Sequence, residues 1–270
     1  MTFRKLIAGA ALAALLPAAP AVAAGGGGEV TDFSFSFEGP LGGFDEAQLQ
    51  RGFQVFNEVC SACHGLRYVS FRALGEAGGP GYDAEQVKAF AEFYEVPDTS
   101  EEALPGDTRP ALPSDKFPAN DSVNAPDLSL MAKGRAGFHG PMGTGISQLF
   151  NGIGGPEYIA SLLLGYNGDE KEQGGAILYG NDVYSTGYIN MAPPLDDDLL
   201  EYADGTPATK EQMAKDVAAF LMWTSEPKLE ARKAAGARNF VFIGLLAVLL
   251  YLTNKKLWAG IKKKGVVPAE

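Results

Sequence analysis

The sequence predicts a mainly α-helical chain with long loops that ends in one C-terminal transmembrane helix. Three observations lead there. Apolar residues recur at helical spacing in two separated stretches: Leu49, Phe53 and Phe56, then Met213, Val217, Phe220 and Leu221. Gly 34 and Pro 17 in 270 residues exceed ordinary usage without a collagen period, which implies many turns. A nearly unbroken apolar run at 240–252 has no charged face. With 46% hydrophobic and 20% charged residues, the chain is not of the disordered class.

The elements follow in order. Arg4 and Lys5 precede an apolar run at 6–16 and a small-residue stretch, the pattern of a signal peptide over 1–24. The run is too short to span a bilayer, which takes about 20 apolar residues. A glycine spacer at 25–28 opens a body over 25–233. Asp45 stands where an N-cap would open a helix running into Cys60. Residues 75–125 are acidic and loop-rich, with a helix expected over 84–94, and another is expected around 158–164. An amphipathic helix is expected over 209–224, opened by a capping box of Thr209 and Gln212. Pro227 interrupts it before the helix resumes into an anchor over 234–254. The tail, 255–270, carries Lys255, Lys256, Lys262, Lys263 and Lys264. Excess lysine stays on the cytoplasmic side. With an export signal in front, the expectation is a single-pass protein of the bacterial inner membrane, its body in the periplasm and its C-terminus cytoplasmic.

Net charge is −11 but unevenly placed. Between positions 24 and 237 there are 14 basic and 32 acidic residues, a balance of −18. Phosphate contacts need Lys and Arg, so a nucleic acid is excluded as partner. An acidic body suits a cationic protein partner, or solubility alone.

Both cysteines fall in one pentapeptide, Cys60-Ser61-Ala62-Cys63-His64, the C-x-x-C-H pattern of covalent c-type haem attachment. Two thiols at this spacing reach the two vinyl groups of one porphyrin edge, and the adjacent imidazole becomes the proximal iron ligand. A thioredoxin-like pair would want a βαβ context, whereas helical spacing leads into this motif. A zinc site would want a second Cys/His pair, which is missing. For a sixth ligand the residues leave several methionines open. Met213 and Met222 fit the core face of a helix, and Met131 and Met142 flank glycine-rich sequence. Met191 stands before Ala192-Pro193-Pro194, which stiffens an extended loop. His139 is the only other histidine. A haem enzyme with an open axial position, the competing class, would want an acid–base group over the iron.

With these motifs in place the chain resembles the cytochrome c1 family, the haem subunit of the ubiquinol–cytochrome c reductase (cytochrome bc1) complex, in its alphaproteobacterial type. The resemblance runs from about Phe33 to the end. It rests on the motif through Gly65-Leu66-Arg67-Tyr68, on Ala125-Pro126-Asp127-Leu128-Ser129, and on Gly154-Gly155-Pro156-Glu157-Tyr158-Ile159. Asp204-Gly205-Thr206-Pro207 and Phe220-Leu221-Met222-Trp223 extend it. The resemblance implies a c-type cytochrome fold and one covalent haem c on Cys60, Cys63 and His64, with Met191 as second axial ligand. It implies that Pro126 and Leu128 line the haem edge and that Arg135 sits near a propionate, where a guanidinium neutralises a carboxylate. It further implies an electron carrier without its own catalytic site. Its partners would be cytochrome b, the Rieske iron–sulfur protein and a soluble cationic cytochrome c. Residues 137–153 look like the insertion of bacterial members, and the cysteine pair expected with it is missing here.

Overall fold

A computed structural model describes residues 28–100, 103–120, 124–135 and 146–264. The expected signal peptide, His139 and Met142 lie outside the described residues, as does much of the 137–153 insertion.

Helix α1, Glu46–Glu58, is opened by Asp45, whose carboxylate accepts the Gln48 N–H at 2.7 Å. Its apolar face buries Leu49, Phe53, Val55 and Phe56. Two 3₁₀ turns follow, Cys60–Ala62 and Phe71–Gly75. Helix α2, Ala84–Glu92, falls in the expected place and carries a full capping box between Asp83 and Gln86. Strands β1, Glu95–Pro97, and β2, Thr108–Pro110, pair antiparallel. Three helices then follow: α3, Met131–Gly134; α4, Ile146–Asn151; and α5, Gly155–Leu164. The last begins three residues earlier than expected, with proline in its first turn, where a missing N–H costs nothing.

After α5 the chain departs from the expected loops. Strands β3, Tyr166–Gln173, β4, Ala176–Asn181, and β5, Tyr188–Ile189, form an antiparallel sheet in that order. The β3–β4 turn is Gly174-Gly175, both at positive φ, as a tight hairpin requires. Polar residues on both faces of β3 hide this strand from a search for alternating hydrophobicity.

Helix α6, Lys210–Ser225, was expected to be amphipathic; it is instead buried on nearly every side. It packs against α1 on one flank and against α3 and α5 on others. The faces away from Met213, Val217 and Phe220 carry Ala214, Ala218 and Ala219, which admit neighbours without registering as strongly apolar. Thr209 caps it by accepting the Gln212 N–H at 3.2 Å. The return half of the box is absent, because the Gln212 amide turns to Asp216 at 2.9 Å.

The α1–α6 crossing organises the body. Phe53 and Phe56 meet Phe220 at ring-centroid distances of 5.6 and 5.8 Å. Phe117 adds edge contacts to both. Asp216, fully buried, accepts from Arg51 Nε at 2.9 Å, and Arg51 reaches on to Asp204 at 2.7 Å. The helices close this far because residue 52 has no side chain: a Cβ there would lie 2.1 Å from the Asp216 carbonyl oxygen.

Helix α7, Leu229–Lys264, resumes after Pro227 and runs through the residues expected as an anchor. Residues 229–260 are long and apolar enough to cross a membrane; their most apolar stretch, of mean hydropathy 1.8, is unburied by the rest of the chain, whereas Leu229 at the base sits in the core. Its base is tied to the segment before α1. Lys233 Nζ donates to the carbonyls of Phe37 and Gly42 at 2.6 and 3.0 Å, and Glu230 accepts the Phe44 N–H at 2.8 Å. Above this joint, Glu157 of α5 is buried beside Glu38, and burial first, then Glu38, pushes its carboxyl up to about 8.

At an interior helical site alanine usually stabilises over glycine by about 0.5–1 kcal/mol. Gly52→Ala is expected to do the reverse, costing about 1–3 kcal/mol through overpacking of the α1–α6 crossing. Calorimetry checks this: a raised melting temperature would show that the helices part freely.

Candidate haem site

The site begins where α1 ends. The backbone tightens into the 3₁₀ turn, and the N–H groups of Cys63 and His64 both return to the Cys60 carbonyl, at 3.1 and 2.9 Å. Both thiols are therefore held on one short turn, Cys63 exposed and Cys60 partly buried, and they are not bonded to each other. Burial, then the neighbouring Cys63, pushes the Cys60 thiol up to about 12. The turn is braced from both sides. Ser61 Oγ donates to the Asn57 carbonyl at 2.7 Å, and the Asn57 side chain accepts from the Tyr94 hydroxyl at 2.8 Å. Asn120 donates to the Ala62 carbonyl at 2.9 Å.

His64 is oriented by one contact. Its Nδ1 lies 2.7 Å from the Pro126 carbonyl oxygen. A carbonyl only accepts, so Nδ1 carries the hydrogen and Nε2 keeps its lone pair free for a metal. The Pro126 segment is pinned to the residues just after the motif. Leu128 N–H donates to the Gly65 carbonyl at 3.0 Å. The Asp127 carboxylate accepts from the N–H groups of Arg67 and Ser129, at 2.9 and 3.0 Å. The Tyr68 N–H donates to Ser129 Oγ at 3.2 Å. Leu128 is buried. A cleft beside His64 is lined by Phe56, Leu66, Tyr94, Phe117 and Pro118.

Met191 lies two residues past the end of β5. It is half-buried against the core, and its carbonyl accepts the Tyr166 hydroxyl at 2.9 Å. The small sheet thus holds the loop on one side, and Leu195, buried after the proline pair, holds it on the other. Among the other methionines, Met213 and Met222 are buried in α6. Arg135 ends α3, and its guanidinium carbon sits 6.0 Å from the Tyr158 ring centroid. The structure thus brings Cys60, Cys63, His64, Pro126 and Leu128 together, and it places Arg135 beside α5.

This donor set fits a c-type haem. Two unpaired thiols sit on one turn beside an imidazole whose outer nitrogen is fixed as hydrogen donor. Sequence reasoning missed the supports Asp127, Asn120, Tyr94 and Tyr166. Only Gly174-Gly175, a hairpin signal, pointed toward the sheet that carries Tyr166.

Comparison with known proteins agrees with this chemistry. Residues 35–261 match the model of the Cytochrome C1 family. The chain is 53% identical to cytochrome c1 of Cereibacter sphaeroides, covering 97% of this chain and 98% of that one. It is 42% identical to the cytochrome b/c1 protein of Bradyrhizobium diazoefficiens over 83% of this chain and 35% of that longer one. It is 37% identical to the mitochondrial cytochrome c1 heme protein of Saccharomyces cerevisiae, covering 87% and 74%.

Asp127 fixes the loop that presents the Pro126 carbonyl to His64. Asp127→Ala leaves two backbone donors without this partner and is expected to cost about 1–2 kcal/mol in a thermal melt. Asp127→Asn keeps one acceptor oxygen and should cost less. Equal melting of all three proteins would show that the loop is held by other means.

Proposed function

The chain belongs to the cytochrome c1 family, and from that premise we propose that it accepts electrons from the Rieske iron–sulfur protein and passes them to a soluble cationic cytochrome c. The family assigns it the electron-transferring haem subunit of the bc1 complex, anchored in the membrane. In the proposed arrangement it carries one haem c bound covalently through Cys60 and Cys63. His64 and Met191 would hold its iron. Pro126 and Leu128 line the haem edge and Arg135 faces a propionate. The haem domain stands in the periplasm, and cytochrome b accompanies it in the membrane. When bound, haem c supplies a one-electron couple, and a thioether ligand raises its potential.

The observation that carries this reading is the 2.7 Å contact from His64 Nδ1 to the Pro126 carbonyl. It sets one tautomer, orients the ring, and raises the basicity of the free nitrogen. The remaining residues prepare a fixed, mostly apolar seat, which keeps reorganisation small when charge changes. The Bradyrhizobium relative, named as both cytochrome b and c1, supports cytochrome b as a neighbour. The test is purification from solubilised membranes. Cytochrome b and a Rieske protein should accompany the chain, with a methionine–iron charge-transfer band and no carbon monoxide binding. Carbon monoxide binding without those partners would favour a haem enzyme.

Met191→Leu is expected to lower the midpoint potential by on the order of 0.1–0.3 V while the haem stays attached on a denaturing gel. An unchanged potential would move the ligand to another residue.

The acidic body bears on the acceptor. Asp196, Asp197 and Asp198 follow Met191 closely and are exposed. Asp197 is partly committed, since its carboxylate accepts the Lys210 N–H at 2.7 Å at the start of α6. Asp196 and Asp198 are left for a partner's lysines. Steering of this kind raises association rates by roughly 10–1,000-fold and fades with salt, since the Debye length is about 8 Å at physiological ionic strength. The bimolecular reduction rate of a basic cytochrome c should therefore fall about tenfold or more from low to physiological salt. Neutralising Asp196 and Asp198 should flatten that slope. A rate indifferent to salt in the unaltered protein would remove electrostatic docking from the account.

A further inference from the structure

The base of α7 carries an apolar feature that nothing in the body covers. Residues 39–43 form a tight loop shortly before α1. Lys233 holds this loop from α7 by donating to the carbonyls of Phe37 and Gly42, and Glu230 accepts the Phe44 N–H. The loop sits hard against the helix because residue 43 has no side chain: a Cβ there would lie 2.8 Å from Glu230 Oε1. Its aromatic flanks turn inward, Phe37 buried and Phe44 packed on the core. Leu41, between them, turns outward and is 87% exposed. Pro40 beside it is exposed as well. Pro40, Leu41, Ala234 and Ala237 line a groove of about 300 Å³ between loop and helix.

A single exposed leucine is ordinary on a protein surface. This one is distinguished by its height along the anchor. Residues 240–254 rise about 22 Å along the helix axis, short of the roughly 30 Å of bilayer hydrocarbon. Lys255 and Lys256 can snorkel and Trp258 suits an interface, which extends the span at that end. The rest is made up before Phe240, so the hydrocarbon begins near Ala237, and the groove opens at that level. Leu41 is therefore held where lipid begins. A cation stands on the same helix face. Arg238 follows Ala234 by four residues, about one helical turn, and forms no ion pair among the described residues.

We propose that Pro40 and Leu41 form a second contact with the membrane, and that the groove they make with α7 holds one phospholipid of the surrounding bilayer. The apolar walls suit an acyl chain. Placing it there, with Leu41 in the lipid interface, removes apolar surface from water. Arg238 suits the headgroup phosphate, which its guanidinium meets with two donors. A single helix leaves a domain free to tilt. A leucine seated in the interface beside it supplies a second point of support and restricts that tilt. The loop is already pinned by Lys233 and Glu230, so the contact needs little further ordering of the chain. The inference uses the membrane anchor and is independent of the proposed electron path.

The test uses the full chain in its membrane complex, reconstituted in vesicles of phosphatidylethanolamine and phosphatidylglycerol. A spin label is attached at Leu41→Cys, with the signal of the unaltered protein subtracted. Its collisions with oxygen, which concentrates in lipid, are compared with its collisions with a water-soluble nickel chelate. The oxygen-to-nickel ratio should be several-fold higher than for Leu104→Cys, on the exposed turn between β1 and β2. For the groove, phosphorus is counted per chain after detergent washing. Arg238→Gln should lose one phospholipid, and Arg238→Lys should keep it. Positions 41 and 238 are exposed, so these substitutions disturb no packing. The proposal is overturned if the label at 41 reads the same as that at 104. It is overturned also if neither reagent reaches position 41, which would put another protein subunit on the loop, or if Arg238→Gln keeps the phosphorus content of the unaltered protein.

Discussion

The constraint on which the haem site depends is the approach of α1 to α6 at Gly52. Everything at the haem site is referred to the end of α1, because the Cys60–His64 turn is its direct continuation. The crossing fixes where that end lies. It does so by packing, through Phe53, Phe56 and Phe220, and by a buried charge, Asp216, which finds its partner in Arg51. A buried ion pair of this kind is weak evidence for stability, but breaking one partner is expensive, about 3–5 kcal/mol. It therefore acts chiefly as a register pin: sliding α1 along α6 separates Arg51 from Asp216 and drives residue 52 into the neighbouring backbone.

From that fixed end the site is assembled by backbone hydrogen bonds more than by side-chain contacts. The Cys60 carbonyl gathers two N–H groups, the Gly65 carbonyl takes Leu128, and the Pro126 carbonyl takes the His64 ring. Main-chain acceptors have few soft torsions, so they hold an imidazole more tightly than a long side chain would. Of the side chains that take part, Asp127, Asn120 and Ser61 bind backbone as well, and Tyr94 and Asn57 bind each other. Rigidity of this kind suits electron transfer, where the protein has no bond to make or break.

Charge divides the protein by task. Buried carboxylates are structural: Asp216 is paired, and Glu157 and Glu38 face each other at the anchor joint. Many exposed carboxylates in the acidic body also close turns. Asp98 accepts from Ser100, Asp107 from Leu104, and Asp197 from Lys210. The formal balance of −18 between residues 24 and 237 thus overstates the charge free to steer a partner, and the carboxylates left without such duties are the ones that matter for docking. At the other end, α7 leaves the body bare of contacts along its apolar length, as a lipid-facing helix must.

The sequence by itself determined the haem motif, the anchor, and four helix positions. Each depends on local spacing: Cys-x-x-Cys-His on one turn, an apolar run long enough to span, Asp45 ahead of a 3.6-residue period, and Thr209 ahead of another. It also made Met191 a leading candidate, since the proline pair after it is a local signal. Tertiary structure alone decided three things. It made α6 a central helix rather than a surface one, because alanines at 214, 218 and 219 become core only when α5 and α3 pack on them. It supplied the sheet whose Tyr166 holds the Met191 backbone, because β3 is stabilised by its ladder with β4 and not by any apolar pattern of its own. And it brought Pro126 to His64 and Glu38 to Glu157 across separations of 62 and 119 residues, pairings that no local propensity encodes and that only the closed chain creates.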